Sequence, residues 1–440
     1  MVSIRHLKSR SVKLSDLSYV RIKEIPQSAP PIGETGLIKW TRENLFSNWL
    51  NSILTLVALY FISNVLINIL PWLFGGNWGA SSLRQCRDET GSAACFAVLA
   101  VRWKQLIFGF YPSEEYWRPV ITFFLMILAL VPVLFSKFFK FLWVSIFYPG
   151  IAVWLLWGGS FWPTFSFYFG LFSSIYLYSI LGQKFKFSMS KGLLGSLCFF
   201  IAFNIFLSGP VHLTLESIVN IRLPPVESSQ FGGFLLSVLL GVTSISVCFP
   251  IGILLALGRQ SNLPLVTMIC VGFIEFVRGV PLITLLFVAS VLLNYFLPPG
   301  TSFDLILRVL IMLTLFSAAY QAEVIRGGIA ALPVGQYEAA NSMGLTYWQS
   351  QRLIIMPQAL KVSIPGTTNN FIAIFKDTTL VSIIGLLDPV GMASAIRADQ
   401  TWNGIYWELF VAIGSLYFIF CFGMSRYSLY LERQLQTDLN

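Results

Sequence analysis

The sequence has 440 residues and a formal net charge of +9, and only 11% of its residues are charged. Soluble domains carry about 25% charged residues, so this chain has too few to cover a surface that faces water. Apolar segments of about 20 residues, the length that crosses a membrane as a helix, recur along it. The composition therefore excludes a soluble protein and predicts an all-α, polytopic membrane protein.

Residues 1–45 open the chain with a polar, basic segment, and the first apolar run begins too late and is too long for a signal peptide. We expect a cytoplasmic tail here, because lysine and arginine favour the cytoplasmic side of a membrane. About ten membrane-spanning helices are predicted after the tail. They lie near residues 52–72, 119–136, 141–158, 161–181, 191–208, 231–256, 265–295, 303–326, 364–386 and 404–425.

The connectors between these spans support the count. Lys137, Arg259 and Arg426 fall on connectors that lie on the cytoplasmic side when there are ten spans and both termini are cytoplasmic. If the number of spans were wrong by an odd number, some of these basic connectors would fall on the external side. The segment 161–181 is the weakest of the ten because it is rich in aromatic, Ser and Thr residues, and a helix lying in the membrane interface is its alternative.

The composition changes near residue 227. The earlier spans are aromatic and aliphatic with few charges, whereas the later ones carry charges and Gly–Pro breaks at membrane depth. We therefore predict an accessory membrane region at 46–226, with about five spans and an external loop at 75–118. The working domain is expected at 227–435.

The cysteines and histidines give little sign of a metal site. Cys86 and Cys95 share the external loop, where they could form a disulfide in an oxidising compartment or remain free thiols. There is no C-x-x-C pair, and His6 and His212 are the two histidines, so no metal site is expected. The basic residues gather in membrane connectors, so nucleic acid is not expected as a partner.

The long connector at 333–357 carries the most informative pattern. Glu-Ala-Ala fits a short helix whose small side chains let a partner approach closely. The glycine that follows after three intervening residues can end this helix with a positive φ. A second short helix is expected at 345–356, where the following proline would limit it. An ordinary helical hairpin is the alternative. The residues of the pattern are Glu338, Ala339, Ala340, Gly344, Ile354 and Pro357.

This pattern resembles the EAA loop of ABC importer permeases, with Met356 in place of the usual leucine. Leucine and methionine have similar volumes, so the change is conservative. The resemblance implies that the segment inserts into a groove on a separate ATPase subunit and moves as a lever when ATP closes the ATPase dimer. Glu338 would be the charged anchor of that contact.

Three further segments, at 275–281, 320–328 and 375–380, resemble the polar amino acid subfamily of these permeases. The five-span region that precedes them, with Gly-Phe-Tyr-Pro at 109–112, resembles the larger subunit of general L-amino acid systems. The resemblance implies a type I importer core of five helices with cytoplasmic coupling helices. It also implies ABC ATPase subunits and an extracytoplasmic amino-acid-binding protein, in a bacterial cytoplasmic (inner) membrane. A second permease is implied as well, either another copy of this chain or a shorter sister subunit, and the resemblance of the five-span region favours the sister subunit.

Charged and polar residues at membrane depth are candidates for the translocation path or its gate. Glu275 with Arg278, and Glu323 with Arg326, have the i,i+3 spacing that places two side chains on one helix face. An unpaired charge there costs at least about 2.5 kcal/mol, so each must pair or face water. Structural locks, or sites for lipid headgroups, are the alternative for these four. The remaining candidates are Tyr320, Asn369, Asn370, Lys376, Asp377, Thr378 and Thr379.

The chain lacks a Gly-x-x-x-x-Gly-Lys-[Ser/Thr] phosphate-binding run, so ATP and Mg²⁺ are expected on the partner ATPase and not here. It is therefore not expected to be an enzyme by itself. A carrier driven by an ion gradient is the first alternative. A membrane enzyme acting on a lipid-linked substrate is the second, although the sequence shows no convergent cluster of acids or histidines for it.

Overall fold

The computed structural model describes residues 36–183, 189–292, 295 and 303–436, so most of the predicted tail lies outside the described residues. The chain forms two compact units, residues 1–74 and 75–440. In the first unit, α1 (Gly36–Asn44) precedes α2 (Trp49–Phe74). Every residue of both helices is at least partly exposed. Helix α2 has the length and apolar composition of the first predicted span.

The second unit is almost entirely helical. A two-stranded antiparallel ribbon, β1 (Gly159–Ser160) with β2 (Arg222–Leu223), joins the segments after α6 and α9. The helices are α3 (Leu83–Thr90), α4 (Ala97–Phe108), α5 (Trp117–Leu134), α6 (Leu142–Trp157), α7 (Trp162–Gln183), α8 (Met189–Ala202), α9 (Ser208–Ile218), α10 (Gly233–Arg259), α11 (Pro264–Gly279), α12 (Leu282–Phe287), α13 (Leu305–Ala330), α14 (Val334–Ser342), α15 (Tyr347–Ser350), α16 (Met356–Asp377), α17 (Pro389–Ala398) and α18 (Trp407–Gln436).

Nine helical segments of the described chain are long and apolar enough to cross a membrane, and a bent pair makes a tenth if it is counted as one span. The weakest predicted span, 161–181, is the long helix α7. The predicted span 265–295 is broken, because α11 and α12 meet at an angle of 103°. Pro281 stands at this break, where its missing N–H and fixed φ favour the end of a helix.

The relative directions of three helices support ten crossings. Ser317 on α13 contacts Cys248 on α10, and one turn further Gln321 lies against Gly252, so α10 and α13 run parallel. Two parallel membrane helices require an odd number of crossings between them, and the bent pair α11–α12 supplies one. By contrast, α16 runs antiparallel to α13, because Asn370 contacts Ser317 and the earlier Ser363 contacts Val324.

The segment predicted as an external loop at 75–118 is folded. It contains α3 and α4, and a disulfide joins Cys86 to Cys95 with their Cα atoms 6.0 Å apart. The backbone N–H of Cys95 donates to the buried carboxylate of Glu408 on α18 at 2.9 Å. Arg102 on α4 forms an ion pair with Asp399. The segment is therefore fixed to the predicted working domain, and one hydrophobic core contains residues of both.

The disulfide segment and the Glu-Ala-Ala segment lie at opposite ends of the helix bundle. At one end, the N–H of Gly233, the first residue of α10, donates to Leu387 at 2.7 Å and lies beside Leu106 of α4. At the other end, Ala256, one turn before the end of α10, packs in a hydrophobic cluster with Ile355. The division of the chain at residue 227 remains a prediction.

Candidate functional site

The segment 333–357, here called the coupling loop, is a compact helix–turn–helix. Helix α14 carries Glu-Ala-Ala, and Gly344 follows it with φ +69°, as the sequence predicts. Thr346 and Gln349 form a reciprocal capping box at the start of α15. Such a box satisfies two backbone N–H groups that a helix start leaves free, so the sequence itself fixes where the second helix begins.

The expectation that Pro357 stops the second helix is wrong. A wider turn of π type at Gln351–Ile355 follows α15, and α16 begins at Met356 and continues to Asp377. Proline is tolerated in the first turn of a helix, where its missing N–H would have no partner in that helix. The predicted span 364–386 is consequently shifted, since α16 ends at Asp377 and a 3₁₀ segment, Thr378–Ile384, completes it.

One face of the coupling loop packs against the helix bundle, and the other face exposes charged and apolar side chains. Glu338 and Ala339 are exposed, whereas Ala340 is completely buried. Gln358 of α16 donates to Gln336 at 3.0 Å and holds α14 in place. Five large apolar side chains of the loop itself are exposed, and exposed apolar surface is typical of sites of association. They are Val334, Met343, Tyr347, Trp348 and Leu353.

Tyr337 links the loop to the bundle. It packs against the hydrophobic cluster that contains Ile355 and Ala359. Partial burial raises the pKa of the Tyr337 phenol, and the neighbouring Tyr347 raises it further. The side chain therefore stays neutral at physiological pH and can remain in an apolar contact.

Five charged side chains meet near this end of the bundle and are called the charge cluster: Arg259, Glu275, Arg278, Glu323 and Arg326. Glu323, only 16% exposed, lies 2.8 Å from Arg259, 3.5 Å from Arg278 and 3.1 Å from Arg326. Glu275, 55% exposed, lies 2.9 Å from Arg259. The Arg278 guanidinium also lies over the ring of Tyr320, 5.6 Å from its centroid.

The cluster differs in part from the pairs expected by sequence spacing. Glu323 and Arg326 do pair along one helix. Glu275 instead pairs with Arg259 of the neighbouring helix α10, and Arg278 pairs across to Glu323 of α13. The candidate site residues predicted from sequence did not include Arg259. The sequence signal for it was a basic residue at the end of a predicted span, and Arg259 is the last residue of α10.

A second polar group lies between α13 and α16. The Asn370 amide donates to Gln321 at 3.0 Å and to the Ser317 carbonyl at 3.2 Å, and Gln321 donates to Thr367 at 2.7 Å. Gln321 is completely buried. The preceding candidate, Asn369, is exposed. Asn370 is thus brought together with Gln321, Ser317 and Thr367, three residues that were not predicted.

The predicted candidates at 376–379 separate into exposed and buried members. Lys376 is exposed and Asp377 is partly buried. Thr378 is completely buried, donates to the Phe375 carbonyl at 2.8 Å and lies 3.4 Å from the Tyr417 hydroxyl. Thr379 donates to the Lys376 carbonyl at 2.8 Å. Within the described chain no ion pair joins Lys376 to Asp377.

These features define a class of protein: a polytopic helical membrane protein with an exposed helix–turn–helix at one end of its bundle. The family model for the binding-protein-dependent transport system inner membrane component matches residues 248–437. A glutamate/glutamine/aspartate/asparagine transport system permease protein of Rhodobacter capsulatus is 51% identical over 434 residues, which is 97% of this chain and 100% of the relative.

An inner membrane amino-acid ABC transporter permease protein of Escherichia coli is 37% identical over 408 residues, covering 90% of this chain and 93% of the relative. A crystal structure of an amino acid ABC transporter aligns with a TM-score of 0.41 and 30% identity, covering 46% of this chain and 91% of that one. The chain belongs to the permease subunits of ABC importers, a family in which ATP hydrolysis takes place on a separate ATPase subunit.

Proposed function

We propose that this chain is one of two permease subunits of an ATP-driven importer of acidic amino acids and their amides. The coupling loop carries the proposal: Glu338 and Ala339 are exposed on a short helix whose other face, at Ala340, packs into the bundle. Such a helix can bind a partner with one face and move the membrane helices with the other. The substrate class follows from the relative that is 51% identical over the whole chain.

The two ends of the bundle support a cytoplasmic coupling loop. A disulfide is expected to persist on the oxidising, extracytoplasmic side of a bacterial membrane. The Cys86–Cys95 disulfide and the coupling loop lie at opposite ends of the bundle, so the loop is assigned to the cytoplasm. With ten spans, the proposal assigns both chain termini to the cytoplasm as well. The extracytoplasmic amino-acid-binding protein is assigned to the disulfide end, and the ABC ATPase to the loop.

The translocation path is assigned to the polar side chains on α13 and α16. The amide N–H groups of Asn370 already donate to Gln321 and Ser317, so Asn370 offers a substrate its oxygen, as an acceptor. Lys376, at the extracytoplasmic end of α16, supplies the donors that an amino acid carboxylate needs. Asp377 and Thr379 supply acceptors for its ammonium group. A second, shorter permease completes the path from the facing side, and the accessory helices α5–α9 brace the assembly.

A reconstitution experiment tests this function. The complex co-purified with this chain is placed in proteoliposomes, and uptake of glutamate, glutamine, aspartate and asparagine is measured with ATP on the ATPase side. We expect uptake that requires both ATP and the binding protein. Uptake driven by an ion gradient without ATP would instead support the secondary carrier.

The orientation is tested separately by cysteine labelling in intact cells. Asp88→Cys at the disulfide end and Ser342→Cys on the coupling loop both introduce exposed thiols. A maleimide that cannot cross membranes is expected to label position 88 only. Labelling at position 342 alone would reverse the proposed topology.

A further inference from the structure

We propose that Arg259 is a positioning residue that holds the broken helix α11 against α10 and α13 and releases it when the coupling loop moves. The proposal rests on the function inferred above and names a residue within it. Arg259 is the last residue of α10, and one of its guanidinium nitrogens lies 2.9 Å from Glu275 on α11 and 2.8 Å from Glu323 on α13. A single side chain thus joins three helices.

Helix α11 needs such a contact because its own packing is slight. Of its 16 residues, Ile274 and Val277 are buried. It is also bent by 103° from α12, so the helix that follows does not fix its direction. The orientation of α11 therefore depends strongly on side-chain ties to its neighbours. The charge cluster supplies these ties, through Glu275 to α10 and through Arg278 to α13.

The charge cluster lies next to the core that carries the coupling loop. Ala256 on α10, Ile274 on α11 and Ile325 on α13 all belong to one hydrophobic cluster, and each is within three residues of a member of the charge cluster. Ile355 is buried in this cluster, and Tyr337 packs against it. A displacement of the coupling loop consequently reaches the helices at the level where Arg259 holds them together.

The partial exposure of these charged side chains indicates that the ion pairs of Arg259 can break and re-form. Arg259 is 23% exposed and Glu275 is 55% exposed, and an ion pair in contact with water has a small net free energy. Glu323 keeps Arg278 and Arg326 when Arg259 is removed. Loss of Arg259 therefore leaves no buried acid unpaired, and the variant is expected to fold with α11 less firmly held.

The experiment measures coupling in the assembled complex. Arg259→Gln, Arg259→Lys and the control Arg222→Gln, an exposed arginine at the other end of the bundle, are reconstituted with their partners. ATP hydrolysis is measured with and without the loaded binding protein, beside amino acid uptake. We expect Arg259→Gln to raise hydrolysis without the binding protein at least about fivefold and to lower uptake per ATP.

Arg259→Lys, which keeps the charge but reaches fewer partners, is expected to restore part of the coupling. Glu275→Gln, which removes the α10–α11 contact from its exposed side, is expected to have a smaller effect in the same direction. Unchanged hydrolysis and uptake in both Arg259→Gln and Glu275→Gln would overturn the proposal, and so would a parallel fall in yield, hydrolysis and uptake. Absence of ATP-dependent uptake in the unaltered complex would instead overturn the proposed function.

Discussion

Ala339 and Ala340 are adjacent on α14 but lie in opposite environments, since the first is exposed and the second is completely buried. A leucine at each position therefore tests two different surfaces of one short helix. Ala340→Leu is expected to lower the free energy of unfolding by about 1–3 kcal/mol, because extra methylene groups do not fit a packed site. Thermal unfolding of the purified permease measures this.

Ala339→Leu is the matched control for folding and is expected to leave thermal unfolding unchanged. Its added bulk lies on the outer face of α14, so it should weaken recovery of the ATPase subunit with the permease. Equal effects of the two variants on thermal unfolding would contradict the division of the helix into an inner and an outer face.

A charge reversal at Glu338 tests the docking contact directly. Glu338 is exposed and has no ion pair within the described chain, so Glu338→Arg should not disturb folding. It should prevent the ATPase subunit from co-purifying and abolish ATP-dependent uptake, because a positive charge would replace the negative charge expected to anchor the ATPase contact. Glu114→Arg, an exposed acid toward the other end of the bundle, is the control. Normal uptake with Glu338→Arg would count against the coupling loop.

The sequence predicted the helical class and the coupling loop because these depend on local patterns of apolar residues, small residues and glycine. It could not assign the partners of the charge cluster. The i,i+3 spacing gives Glu323 with Arg326, but the contact of Glu275 with Arg259 depends on which helices become neighbours and how each is rotated. The packing of the helices determines their neighbours and their rotation, and neither can be deduced from residue spacing within one helix.

The same limit explains two other differences. Pro357 was expected to end the second helix of the coupling loop. Instead, a π turn leads directly into α16, whose first turn accommodates the proline and whose Ala359 packs in the hydrophobic cluster. The segment 75–118 has the composition of a loop. The Cys86–Cys95 disulfide lies within the segment and could be anticipated from it. The contacts to Glu408 and Asp399, some 300 residues later in the chain, also hold it in place, and no nearby residue specifies them.

The amide contact between Gln321 and Asn370 is expected to couple α13 to α16. A double-mutant cycle with Gln321→Met and Asn370→Leu isolates this contact from the packing of each side chain. Interhelical hydrogen bonds in membranes contribute about 0.6 kcal/mol on average, so we expect a coupling of that size in thermal unfolding. Asn369→Leu, at the exposed neighbouring position, is the control. If Asn370 also contacts the substrate, its variant will lower uptake more than Gln321→Met does.

The Cys86–Cys95 disulfide closes a short segment with a sequence separation of 9. The chain-entropy model gives about 3 kcal/mol of stabilisation for such a loop. We expect reducing agent to lower the temperature at which the segment unfolds, and Cys86→Ser with Cys95→Ser to make unfolding insensitive to the reductant. Cys198→Ser, at an exposed free cysteine, should behave as the unaltered protein. A reductant effect that persists in the double variant would assign it to another cause.

Asp399 lies at the disulfide end of the bundle and should make the stability of the protein depend on pH in the acid range. Its carboxylate accepts hydrogen bonds from the Thr401 hydroxyl at 2.6 Å and the Thr401 N–H at 2.9 Å, and it pairs with Arg102. These contacts, with Thr401 first, lower the pKa of Asp399 below its ordinary value of 3.8. The folded state therefore binds this proton less readily than the unfolded state does.

A carboxyl group whose pKa is lowered by folding stabilises the protein above its unfolded pKa, and that stabilisation is lost as the pH falls through the folded pKa. We therefore expect Asp399→Asn to be less stable than the unaltered protein at neutral pH, with the difference shrinking below about pH 4. Thermal unfolding of both proteins from about pH 6 to pH 3 measures the difference, in which acid effects common to both cancel. A difference that stays constant over this range would show that the ionised carboxylate does not contribute through Thr401 and Arg102.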